Sequence, residues 1–234
     1  PLTVLYYDFE LSDRQFYKRY TNADEQTFNF SERFHIDTID FAQLSSISTD
    51  ASYSEILFKK ICFDIEDKLA DVLVIDNISY LDINSTQDKK VGLDIMRELI
   101  KIKKMYNISI LVLAHTPKCS LSSPITINDL AGSKSLSNFA DSVSAIGKSA
   151  KDSSLRYIKQ VKPSRSSEML FDINNVIVCR IIKDDCFLGF EFIECDSEFE
   201  HLKELDSQER QHERMQKIER AKELLMYDEL NLTQ

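Results

Sequence analysis

The chain of 234 residues is 43% apolar and 29% charged, with 39 acids against 29 Lys and Arg for a net charge of −10. That is enough for one α/β domain with a real core and a small appendage, while the acidity excludes attraction of the whole body to nucleic acid and leaves only a local basic patch for such contact. No stretch reaches the roughly 18 to 20 apolar residues of a membrane span, no signal-peptide pattern opens the chain, and five scattered cysteines without a C-x-x-C pair exclude a disulfide framework or a zinc site; the expectation is a cytoplasmic protein with reduced thiols and no membrane partner.

The first element is the apolar run Leu2 to Tyr7 in "LTVLYYDFE", a predicted buried strand that ends at Asp8 and Glu10. Because Pro1 leads straight into a core strand, further sequence is expected upstream. Helical spacing follows over residues 53–69, then a second strand from Val72 to Ile75, which ends at Asp76 and Asn77. Asp-Asn there either simply begins a turn or presents a carboxylate at a strand end. A second helical stretch covers residues 87–106, and the run Ile108 to Ala114 ends at His115 and Thr116. With Val143 to Ile146 as a further strand, runs apolar on both faces alternate with amphipathic helices. The predicted fold class is α/β with a mostly parallel sheet flanked by helices.

The character then changes. "LRYIKQVKPSRSSEML", "NNVIVCRIIKDD" and "FLGFEFIECD" lie close together with turn-like breaks at Pro163-Ser164, Asn174-Asn175 and Asp184-Asp185, so they predict antiparallel hairpins on the sheet's edge. Residues 197–226 alternate Glu, Lys, Arg and Gln as in a solvated C-terminal helix. The chain stops inside an apolar helical pattern containing Leu224, Leu225, Leu230 and Leu232.

In a parallel sheet the ligand sits beyond the carboxyl ends of the strands, so the residues found there are the functional candidates. They are Asp8 and Glu10, Asp76 and Asn77, and His115 and Thr116. Each has a bland reading as well. Glu10 in "ELSDRQFYKRY" could be an acid at a helix start, and His115 a hydrogen-bonded histidine at a strand end.

The segments "VLYYDFELSD", "DVLVIDNISYL", "ISILVLAHTPK" and "DLAGSKSLSNFADSVSAIG", followed by "LRYIKQVKPSRS", resemble in order and spacing the motifs of RecA-like ATPases of the DnaB and RepA helicase type, as found in replication or mobilisation ATPases of mobile elements. The resemblance covers roughly residues 1–195. It implies a RecA-like core that binds ATP and Mg²⁺, assembles as a homo-oligomeric ring and works on DNA. Carried over, Glu10 polarises the attacking water, Asp76 is the Walker B carboxylate for Mg²⁺, and Asn77 and Thr116 line the nucleotide site. His115 is the sensor of the γ-phosphate, Gly132 and Ser133 form the short nucleotide-site turn before the helix leading to Asp141, and Lys162 and Arg165 are the basic pair that reaches a neighbouring subunit's nucleotide as an arginine finger.

Two features depart from that pattern. The phosphate loop G-x-x-x-x-G-K-[ST] is absent from a chain whose glycines are Gly92, Gly132, Gly147 and Gly189. "AIGKSAK" only mimics it, since Ser142 stands where its first glycine belongs. In the family that loop and its helix precede the strand with which this chain begins, so the expectation is a fragment lacking it. Two residues, Pro163 and Ser164, separate the basic pair where one is usual, leaving Lys159, Lys162 and Arg165 as alternative fingers. On a strand, Arg156 and Lys162 share one face and Lys159 takes the other, which argues against a one-sided DNA stripe. The expected organisation is a core over residues 1–195 and a helical tail over residues 196–234, which either begins a helix-turn-helix or caps the domain. The alternative to an ATPase is a non-catalytic RecA-like adaptor or DNA-binding regulator.

Overall fold

A computed structural model describes residues 1–38, 53–81, 89–116, 120–129, 134–164 and 168–204, together with Met215 and Ile218. Two four-stranded sheets organise these residues. The first contains β1 (Val4–Asp8), β2 (Phe34–Thr38), β3 (Val72–Asp76) and β4 (Ser109–Val112), all parallel, in the order β2-β1-β3-β4. The second is an antiparallel meander of β5 (Val143–Lys148), β6 (Leu155–Lys162), β7 (Val176–Asp184) and β8 (Phe187–Asp196). The α/β class expected from the sequence holds at this level.

Four α-helices lie among the described residues: α1 (Asp13–Arg19), α2 (Tyr53–Lys68), α3 (Lys89–Tyr106) and α4 (Lys134–Phe139). Helices α2 and α3 carry the chain from β2 past β1 to β3, and from β3 to β4. Both crossovers run in one direction, so a common hand places both helices on one face of the sheet. There Leu57, Ile61 and Ile65 of α2 and Ile95, Leu99 and Ile102 of α3 close over Leu5, Tyr7, Leu73 and Ile75. The connection from β1 to β2 runs the opposite way, and its helix α1 buries no residue. The other face is consequently half open: Val4, Tyr6 and Val72 are partly exposed, and Leu111 is 57% exposed.

The strand Phe34–Thr38 is absent from the sequence reading, because only Phe34 and Ile36 are apolar in five residues and the strand lies at an edge. The run at Val143 belongs to the second sheet, paired antiparallel with β6. The expected edge hairpins are likewise a separate sheet, without a hydrogen-bonded ladder to the first among the described residues. Its small core is Tyr157, Val176 and Val178 with Ile125 and Leu155. Gly147 is required there, since a Cβ would fall 2.2 Å from the Tyr157 ring that crosses it.

Where the sequence predicts the start of a solvated helix, Glu198–His201 form a 3-10 turn with Glu198 and His201 buried, and most of the rest of that expected helix lies outside the described residues. Glu198 is fully buried, and its carboxylate accepts from Lys159 Nζ at 2.5 Å and from the Ile125 amide at 2.7 Å. Lys159 also donates to the Ile125 carbonyl, so the loop following β4 is fastened to the second sheet. His201 is 1% exposed, with Nδ1 2.8 Å from Ser149 Oγ. No helix among the described residues is long and apolar enough to cross a membrane.

Candidate functional site at the parallel strand ends

The order β2-β1-β3-β4 makes the β1–β3 boundary the place where the chain reverses its direction of travel across the sheet. In sheets of this kind the connections leave such a boundary toward opposite faces, and ligands bind beyond the strand ends. Asp8 and Asp76 are register partners across this boundary. The ends are tied further by backbone bonds from Phe9 N to Asp76 O, Leu113 N to Ile75 O and Ile78 N to Leu113 O.

The turn after β1 is built by Asp8, whose Oδ1 accepts the amides of Glu10 and Leu11 at 2.9 and 2.8 Å. Ser12 then caps α1 in a reciprocal capping box with Gln15, and Asp13 supplies the acid of the first turn. Glu10 lies before the cap. The helix-start role is therefore filled by other residues, and the Glu10 carboxylate is directed at the ends of β3 and β4.

Asn77, 1% exposed, does two things. Its Oδ1 accepts the Ser79 amide at 2.8 Å and starts the 3-10 turn Ile78–Tyr80, while its Nδ2 donates to Glu10 Oε1. The turn expected at Asp-Asn is thus formed by Asn77, and a second atom of the same side chain reaches Glu10. The peptide bond between Asp76 and Asn77 is cis. His115, with 70% of its side chain exposed, places Nε2 2.6 Å from the same Glu10 oxygen. Three strand ends therefore meet at one carboxylate, and Oε2 of Glu10 has no partner among the described residues.

Asp76 accepts a hydrogen bond from Tyr6 Oη on Oδ2 at 2.6 Å. Burial, then this bond and the charge of Asp76, push the Tyr6 hydroxyl well above the ordinary tyrosine range, so it remains a donor at all physiological pH. Tyr6 was not among the sequence candidates. Its only sequence signal is the two-residue spacing to Asp8, which puts both side chains on one face.

Thr116 is exposed beside His115. Lys162 donates to the carbonyls of Ser137 and Ala140 at 2.7 and 2.6 Å, which satisfies the carboxyl end of α4. Arg165, Gly132 and Ser133 lie outside the described residues. Among the described residues no three His, Cys, Asp or Glu side chains converge to hold a metal ion. The oxygen donors that are present suit a hard cation completing its shell with water or phosphate, as Mg²⁺ does with one or two carboxylates. No protein-family model matches the chain, and no curated protein matches it.

Proposed function

We propose that this chain belongs to a cytoplasmic RecA-like ATPase of the DnaB and RepA helicase type that hydrolyses ATP with Mg²⁺ as a homo-oligomer acting on DNA. The observation that carries the reading is the Glu10 carboxylate, set at the β1–β3 switch point and held by Asn77 and His115. A general base needs one oxygen oriented and the other available for a proton, and Glu10 meets both requirements. Asn77 and His115 fix Oε1, while Oε2 takes the proton of the attacking water. His115 links that carboxylate to the end of β4, so movement of the loop after β4 reorients the base. Asp76, steadied by Tyr6, would hold Mg²⁺, which when bound offsets the charge on the nucleotide phosphates. Lys162 anchors α4, and Arg165 supplies the charge offered to a neighbouring subunit.

The reading requires a phosphate-binding loop and its helix, and the motif of that loop is absent from these 234 residues. The half-open apolar face of the parallel sheet supports it, because it offers a surface on which such a helix could lie. The test uses the protein encoded by the complete gene. Glu10→Gln is expected to lower ATP turnover by about 10²- to 10⁴-fold with nucleotide affinity little changed. A loss under about tenfold would remove Glu10 from the chemistry. The missing loop also favours a second reading, a non-catalytic RecA-like module that binds DNA or a partner; the complete protein would then show no turnover at all.

A further inference from the structure

We propose that Asp8 is a second carboxylate of the cation site, joining Asp76 across the β1–β3 pair to hold one divalent cation. The inference rests on the nucleotide-hydrolysis reading but concerns an atom for which that reading has no use. Asp8 is 3% exposed. Its Oδ1 is saturated by the Glu10 and Leu11 amides, whereas its Oδ2 is buried with no hydrogen-bond partner among the described residues. Buried carboxylate oxygens rarely stay unanswered, because desolvation without a compensating partner is costly.

What answers this one is constrained by its neighbours. Register pairing puts Asp8 and Asp76 side by side on the same face, on strands about 4.8 Å apart. Tyr6 lies on that face as well, and both carboxylates contribute to holding its proton in place. The single phenolic hydrogen is already given to Asp76. No Lys, Arg or His forms an ion pair with either carboxylate among the described residues. A water molecule would answer Oδ2 alone and leave the two neighbouring carboxylates unjoined. A hard divalent cation would answer Oδ2 and bind both carboxylates at once. Two carboxylates leave most of its coordination positions to water, or to phosphate oxygens when nucleotide is present.

Mn²⁺ alone is the probe, titrated into the purified chain and followed by the loss of the free-ion electron paramagnetic resonance signal. We expect one saturable site, with dissociation constants raised at least tenfold by Asp8→Asn and by Asp76→Asn. A wild-type chain with no saturable site below about 1 mM, or an Asp8→Asn variant within twofold of wild type, overturns the proposal. Should Asp8→Asn fail to fold, substoichiometric Mn²⁺ decides the matter in wild-type protein carrying ¹³C-labelled aspartate carboxyls. Broadening of both the Asp8 and Asp76 resonances supports the site, and broadening of Asp76 alone overturns it. Because no nucleotide is involved, the two readings fail separately. Normal turnover loss in Glu10→Gln with unchanged Mn²⁺ binding in Asp8→Asn removes only the role of Asp8. The converse removes the ATPase and keeps the cation site.

Discussion

The two sheets handle charge in opposite ways. In the antiparallel sheet Lys159 and Glu198 are 9% and 0% exposed and satisfy each other along with both polar groups of Ile125. In the parallel sheet the acids gather at the strand ends, where Glu10 keeps one oxygen open and Asp8 keeps one unanswered. Charge that is buried and fully matched fastens a loop to a sheet; charge left incompletely matched at an edge is available to bind or to take a proton.

That contrast can be broken most directly at Lys159. Lys159→Met leaves the Glu198 carboxylate buried beside a single amide donor and is expected to cost about 3–5 kcal/mol, read from urea unfolding. Replacing both partners with apolar residues of similar volume should recover most of the loss. A single-variant cost below about 1 kcal/mol would mean that the pair behaves as a surface ion pair and that the two sheets do not differ in this respect.

Next in size is a test of the faces of the parallel sheet. Leu73→Ala empties a site between β3 and the helices and should cost about 2–5 kcal/mol, whereas Leu111→Ala on the half-open face should stay within about 0.5 kcal/mol. Equal costs would show that the second face is covered in solution.

The smallest effect concerns acid. Burial, reinforced by the Lys151 charge, lowers the pKa of His201 below its ordinary value, against the opposing pull of Asp196 and Glu194. A histidine whose folded-state pKa is depressed binds its proton more readily in the unfolded chain. Its stabilising contribution is therefore complete above the unfolded value of about 6.5 and is lost as pH falls below it, by at most about 1.4 kcal/mol per pH unit. Unfolding measured between pH 5 and 8 should show this slope, and His201→Gln should flatten it.

Much of the parallel half was legible because its signals are local. The runs at Leu2, Val72 and Ile108 are continuous and β-branched, and the helices between them repeat with helical spacing, so β1, β3, β4, α2 and α3 follow from neighbouring residues alone. Strand direction carries no such mark. The six residues of β5 are exposed at alternate positions, with Ile146 58% exposed, and nothing within them distinguishes an antiparallel partner from a parallel one. The strand-end rule brought Glu10, Asp76, Asn77 and His115 to notice, but the meeting of Asn77 and His115 on a single Glu10 oxygen depends on contacts across 67 and 105 residues. The pairing of Lys159 with Glu198 was hidden for the same reason. Lys159 reads as one more charge in a basic segment until the 3-10 turn folds back over it.

The hairpin joining β7 to β8 reaches back to the beginning of the chain. Lys183 donates to the Thr21 carbonyl at 2.6 Å, Asn22 Nδ2 donates to Asp185 at 2.6 Å, and the Phe187 ring packs against Tyr20 and Phe28. These bonds close a separation of 163 residues around a seven-residue helix that buries nothing of its own. During synthesis α1 leaves the ribosome long before the residues that secure its far end are made. The segment following the proposed base is thus translated well before the residues that fasten it, and a ribosome stalled before Asp185 would hold a parallel sheet whose α1 end still lacks these anchors.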